Sequence, residues 1–187
     1  TVVHGSFTNP TGRSTYQYSD LLDTARQLLG RSRARITRLE SPAHPAQVDD
    51  ELPVFASDLG GAIECDGEFA TVSLCLIAGR LDHHRVRREV YMRDEVGHDE
   101  NIGLLAAVTD AVDSIDALLA EGHRVLVHCH GGRSRTGLVL KAWAMRRHGL
   151  DDVEAHEWLT ERWYRYQAWN TTFTEFLRDE WSTALGR

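Results

Sequence analysis

Arg124-Val-Leu-Val-His-Cys-His-Gly-Gly-Arg-Ser-Arg-Thr-Gly137 is the stretch on which the fold and the chemistry of this chain turn. The apolar run from Arg124 to Val127 reads as a buried strand. It stops at His128-Cys129, passes through a glycine-bearing turn, and resumes at Thr136 with the spacing of an amphipathic helix. Five residues separate Cys129 from Arg135, with Gly132 among them. A strand, a tight loop and a helix N-terminus aim several backbone N–H groups at one point, which makes an anion cradle of His130, Gly131, Gly132, Arg133 and Ser134. The same donors and the positive helix end would stabilise a thiolate on Cys129. Arg135 would close the ring with a planar fork matched to phosphate oxygens.

The flanking chain alternates between strand and helix patterns. Upstream, Ala70 to Ile77 is almost continuously apolar, as a strand buried on both faces is. Val90 to Met92 reads as a second short strand, and Asn101 to Ala120 as a long amphipathic helix ended by Gly122. Downstream, helices are expected over Gly137–His148, from a cap at Asp151 and Asp152 to about Trp163, and over Asn170–Leu185. Asp20 to Leu29 has helical spacing, Ile36 to Leu39 is a candidate strand, and Asn9 to Gly12 is a turn signal. Pro42, Pro45 and Pro53 mark a loop, and Gly60-Gly61 a further turn. Arg80 to Arg88, rich in arginine and histidine, reads as a solvated face. The predicted class is α/β, with a mainly parallel central sheet flanked by helices on both faces. Ligands of such sheets sit at the strands' carboxyl ends, where the cradle falls. Residues 1–34 are expected to form a loosely attached N-terminal segment, and 35–187 the catalytic domain.

A net charge of −7 and a pI near 5.8 give no long-range attraction to DNA or an anionic membrane, so anion recognition must be local. No apolar run approaches a membrane span, and no secretory signal is visible. Cys65, Cys75 and Cys129 are too few for a disulfide framework, so a cytoplasmic setting is expected. The histidines at 83, 84, 128 and 130 lack metal-ligand spacing, and neither metal nor cofactor is expected. The chain begins on threonine, and membership in a longer multidomain polypeptide is an expectation compatible with that.

His128-Cys-His-Gly-Gly-Arg-Ser-Arg-Thr-Gly137 resembles the signature loop of the cysteine-dependent protein tyrosine phosphatase superfamily, most closely its dual-specificity branch. The likeness extends over residues 69–180 and includes Asn170, Phe173 and Leu177. It implies a protein phosphatase acting by ping-pong chemistry on a phosphorylated substrate. Cys129 attacks phosphorus, and water hydrolyses the cysteinyl-phosphate. Arg135 and the loop N–H groups hold the equatorial oxygens. The resemblance also implies that His128 supports the loop and that Thr136 donates a hydrogen bond to the departing thiolate.

The general acid must be a carboxylic acid on a nearby loop. Asp94 follows the expected Val90–Met92 strand and is preferred, because the family places its acid at a strand's carboxyl end. The loop is longer than usual in the branch, and Asp99 is the alternative. His130 and Arg133, both able to carry positive charge, would favour a substrate with several phosphates or acidic neighbours, unless they merely balance an acidic surface. That leaves a phosphoinositide, an inositol phosphate or an RNA 5′-triphosphate as alternative substrates, and a catalytically weak phosphate-binding module as the other reading. Cys75, at the end of its strand, is a candidate redox partner for the nucleophile.

Overall fold

The computed structural model describes residues 42–187, and the expectations for residues 1–41, including the boundary near 35, lie outside them. Among the described residues, five strands form one sheet: β1 (Ala46–Gln47), β2 (Val54–Asp58), β3 (Phe69–Ser73), β4 (Arg87–Glu89) and β5 (Arg124–Cys129), in the order β1-β2-β5-β3-β4. Only the β1–β2 pair is antiparallel; β5 lies at the centre, parallel to both β2 and β3. Between and after the strands run α1 (Leu59–Glu64), α2 (Leu104–Ala120), α3 (Ser134–His148), α4 (Asp152–Arg162) and α5 (Thr171–Phe176). A π-turn, Leu177–Trp181, continues α5 into α6 (Ser182–Ala184).

Strand alternation sorts the core into two layers. Val125 and Val127 of β5, with Val54, Ala56, Ala70 and Val72, face a large core built with α2, α3 and the C-terminal helices. Leu126 and Phe69 face a smaller one containing Leu59, Ala62, Ile77 and Leu81. Both faces are therefore covered, but unequally: the second is sealed by the short α1 and the chain after β3. Buried tryptophans satisfy their indole N–H groups, Trp143 on Asp116 and Trp181 on the Ala142 carbonyl. The capping expected at Asp151 is a full capping box with Glu154.

Several boundaries differ from the sequence expectation, each for a tertiary reason. The stretch after Pro53 is not loop but β2, which is a strand because β5 offers it an edge. Gly60-Gly61 is not a turn; it lies inside α1, where a Cβ on Gly61 would fall 1.9 Å from the Ala43 carbonyl oxygen. The strand from Ala70 ends at Ser73, because β5 itself ends: Leu74 N bonds the His128 carbonyl, and Leu76 turns out to solvent. The second short strand is Arg87–Glu89, not Val90–Met92. It is a charged edge strand paired with Thr71–Ser73, and the buried Val90 and Met92 follow it outside the ladder. A separate 3₁₀ turn, Asp99–Asn101, precedes α2. The 80–88 run is not uniformly solvated. His84 is buried, with Nδ1 3.1 Å from the Phe69 carbonyl and Nε2 2.9 Å from that of Ala62.

Candidate active site

Parallel register brings three strand ends together. Asp58 of β2 stands opposite Cys129, and Ser73 of β3 opposite His128. From Cys129, buried to 2% exposure, the chain turns through Gly131 and Gly132 and enters α3 at Ser134, so Arg135 rides on the first helical turn. The loop is tied from two sides: Leu59 N–H donates to the His130 carbonyl, and Trp163 Nε1–H to that of Gly132. Gly132 has φ +65°, and a Cβ there would lie 2.7 Å from the Ser57 carbonyl oxygen. Only glycine meets both demands. His130 is exposed at the mouth. The partial covering of its ring, then Arg135 and Arg80, hold its pKa below the usual imidazole value, so the neutral ring is favoured there.

His128 is fully buried, with Nε2 2.7 Å from Ser73 Oγ. Burial pulls its pKa down to about 4, so at neutral pH the ring supports the loop by this hydrogen bond and not by a positive charge. The unfolded chain, with an ordinary histidine pKa, then binds the extra proton first as pH falls. Stability should therefore drop between about pH 6.5 and 4, by roughly 3 kcal/mol for this group. Denaturant melts across that window should show a shallower decline for His128→Gln. An unchanged slope would count against a neutral His128.

Arg135 is anchored below the cradle. Its NH1 donates to the Leu74 and Met92 carbonyls at 3.2 and 3.4 Å. Nε lies 3.4 Å from Asp94 Oδ2, an ion-pair contact without hydrogen-bond alignment. Asp94 thus meets the arginine of the loop, although the strand preceding it ends five residues earlier, at Glu89. Asp99 is exposed on the 3₁₀ turn. The Asp94 segment is pinned by residues that sequence reasoning left without a part in it. Asn170 Nδ2 donates to Asp94 Oδ1 and to the Glu95 carbonyl, and Asn101 Nδ2 to the Glu95 and Gly97 carbonyls. Gly97 N–H donates to Thr172 Oγ1.

A second residue went unread. The Asp58 carboxylate accepts from Ala43 N–H and Gly61 N–H, and pairs at 3.1 Å with Arg165, both side chains below one-tenth exposed. A buried ion pair of this kind is stable only with its remaining lone pairs filled, as here. An aspartate just ahead of Gly60-Gly61 is a legible helix-cap signal. Cys75 is buried, and burial first, then the Cys129 charge, push its thiol up to about 11. It lies within the field of the nucleophile and stays protonated at neutral pH. Thr136 Oγ1 and Ser134 Oγ are buried and hydrogen-bond to no described residue, Cys129 included. Arg133 opens α3 from the N-cap position. Among the described residues, no group of three histidine, cysteine or acidic side chains could hold a metal ion.

Residues 80–179 match the family model of the dual specificity phosphatase catalytic domain. The chain belongs to the dual-specificity phosphatase family. It is 40% identical over 53 residues to the protein-tyrosine-phosphatase IBR5 of Arabidopsis thaliana, and 41% over 54 residues to the dual specificity protein phosphatase MPK-4 of Drosophila melanogaster. These matches take in 28% and 29% of this chain but only 21% and 14% of the relatives. The crystal structure of human DUSP28 superposes with a TM-score of 0.65 at 21% identity, over 78% of this chain and 97% of that one. The human tyrosine phosphatase-like serine/threonine/tyrosine-interacting protein gives 0.61 at 18%, over 76% and 99%. At such identities these structures establish a shared dual-specificity phosphatase fold.

Proposed function

We propose that this domain hydrolyses phosphomonoesters of proteins through a cysteinyl-phosphate on Cys129. The observation that carries the reading is the contact of Asp94 with Arg135, beside the loop that runs from the buried Cys129 into α3. In the first step the Cys129 thiolate forms the S–P bond as the ester P–O bond breaks, and Asp94 gives its proton to the departing oxygen. In the second, water attacks phosphorus, Asp94 takes a proton from it, and the thiolate leaves with phosphate released. Arg135, with NH1 on two carbonyls and Nε beside Asp94, offers NH2 to the equatorial oxygens throughout. Three free thiols, one of them the nucleophile, suit a reducing compartment such as the cytoplasm.

The test is turnover without added metal on a panel of phosphotyrosine and phosphoserine peptides, inositol phosphates, phosphoinositides and an RNA 5′-triphosphate. Asp94→Asn should lower kcat by about 10²–10³-fold on alkyl phosphates and much less on aryl phosphates with good leaving groups. Asp99→Asn should change neither. If Asp99→Asn shows the leaving-group dependence and Asp94→Asn does not, the acid is misassigned. Preference for a polyphosphorylated small molecule over every phosphopeptide would move the substrate to that class.

A further inference from the structure

Lys141 stands in the middle of α3 at 5% exposure, between the buried Leu140 and Ala142. No carboxylate or carbonyl of the described residues bonds its ammonium. Among the described residues the ammonium lies over the face of the Tyr166 ring, 5.4 Å from its centre. The stem is buried while the ammonium, with its three donors, reaches the cleft that it lines. Above it, a cleft of about 440 Å³ opens between the first turns of α4 and α5. That volume is in the range of small-molecule sites. None of the residues lining it belongs to the phosphate loop or the Asp94 segment.

The charges around the cleft select a ligand class. Lys141 is the cation at the floor, whereas Asp152 and Glu175 stand on the walls with His156. The Asp152 charge acts on Lys141 but makes no ion pair with it. Arg178 is taken up by two hydrogen bonds to Asp179, and Tyr166 Oη by His156 Nδ1. A multiply charged phosphate would meet two carboxylates on entry. A single negative end on an apolar body would pass them and reach the lysine.

We propose that the cleft between α4 and α5 is a second ligand site, which takes a small organic monocarboxylate with its carboxylate seated on Lys141. Burial lowers this ammonium to about 8, so the floor remains largely charged at neutral pH. Apolar contacts come from Val153 and Ala168, and the body of the ligand lies between the two helices.

Calorimetric titration of the full chain with sodium benzoate, at saturating inorganic phosphate so that the catalytic loop does not compete, tests this. Benzoate should bind the wild type, and Lys141→Met, which keeps the length and apolar stem, should weaken it by about tenfold or more. Glu175→Gln, a change at a half-buried wall position whose carboxylate also lies 3.4 Å from His98 Nε2, should tighten it by removing a negative charge beside the ligand. Equal benzoate affinity in wild type and Lys141→Met, or no binding to the wild type, overturns the proposal. Should Lys141→Met fail to fold, an unchanged affinity in Glu175→Gln overturns it instead.

Discussion

Cys129→Ser is expected to lower turnover of an aryl phosphate by about 10⁵-fold while leaving phosphate binding nearly intact. Cys129 sits at the foot of a loop whose backbone donors are set by Gly132, by the Leu59 bond to His130 and by the Trp163 bond to Gly132. None of these depends on the sulfur, so the serine variant keeps the cradle. What it loses is the nucleophile: a serine oxygen is a far weaker nucleophile than a cysteine sulfur. Steady-state hydrolysis of p-nitrophenyl phosphate measures the first effect, and titration with inorganic phosphate the second. A serine variant within tenfold of wild type would refute the covalent pathway. Loss of both activity and phosphate binding would mean that the cysteine shapes the loop as well.

Arg135→Lys is the second large effect, with kcat expected to fall by about 10³-fold. Lysine keeps the charge and loses the fork. In the wild type NH1 is braced on the Leu74 and Met92 carbonyls, and Nε faces Asp94. That bracing fixes the plane of the guanidinium, leaves it little rotational freedom, and keeps the two N–H bonds of NH2 for a transferring phosphoryl group. An ammonium on a flexible stem reaches one oxygen and braces nothing. The position is largely buried but not part of the apolar core, so the melting temperature should move far less than kcat. Activity within tenfold of wild type would show that positive charge alone suffices.

Arg135 also shows where the sequence stops being informative. That Cys129 and Arg135 flank one loop is local, since the few residues between them can hardly be arranged otherwise between a strand and a helix. The choice between Asp94 and Asp99 was not local. Asp94 is held by Asn170, distant in sequence, and faces an arginine from another element, while Asp99 points to solvent. Composition and spacing carry no trace of that pairing. β2 was hidden for a related reason. Val54–Asp58 has little strand pattern of its own, stands between Pro53 and a glycine pair, and is ordered by the edge of β5. His84, concealed in a basic run, is buried because carbonyls from Phe69 and Ala62 both face it.

Sequence alone was enough for the elements whose hydrogen bonds close within a few residues. These are the phosphate loop between β5 and α3, the Asp151 capping box, and the amphipathic body of α2. They were legible because the residues that make each structure are neighbours in the chain, and loop geometry leaves them few alternatives. Tertiary structure alone decided which carboxylate meets Arg135, that Asp58 and Arg165 pair beside the loop, and that Lys141 is buried beneath a cleft. Each of those needs two segments far apart in sequence to be packed before either side chain has a partner. The contact then follows from the fold's register, not from the residues near it.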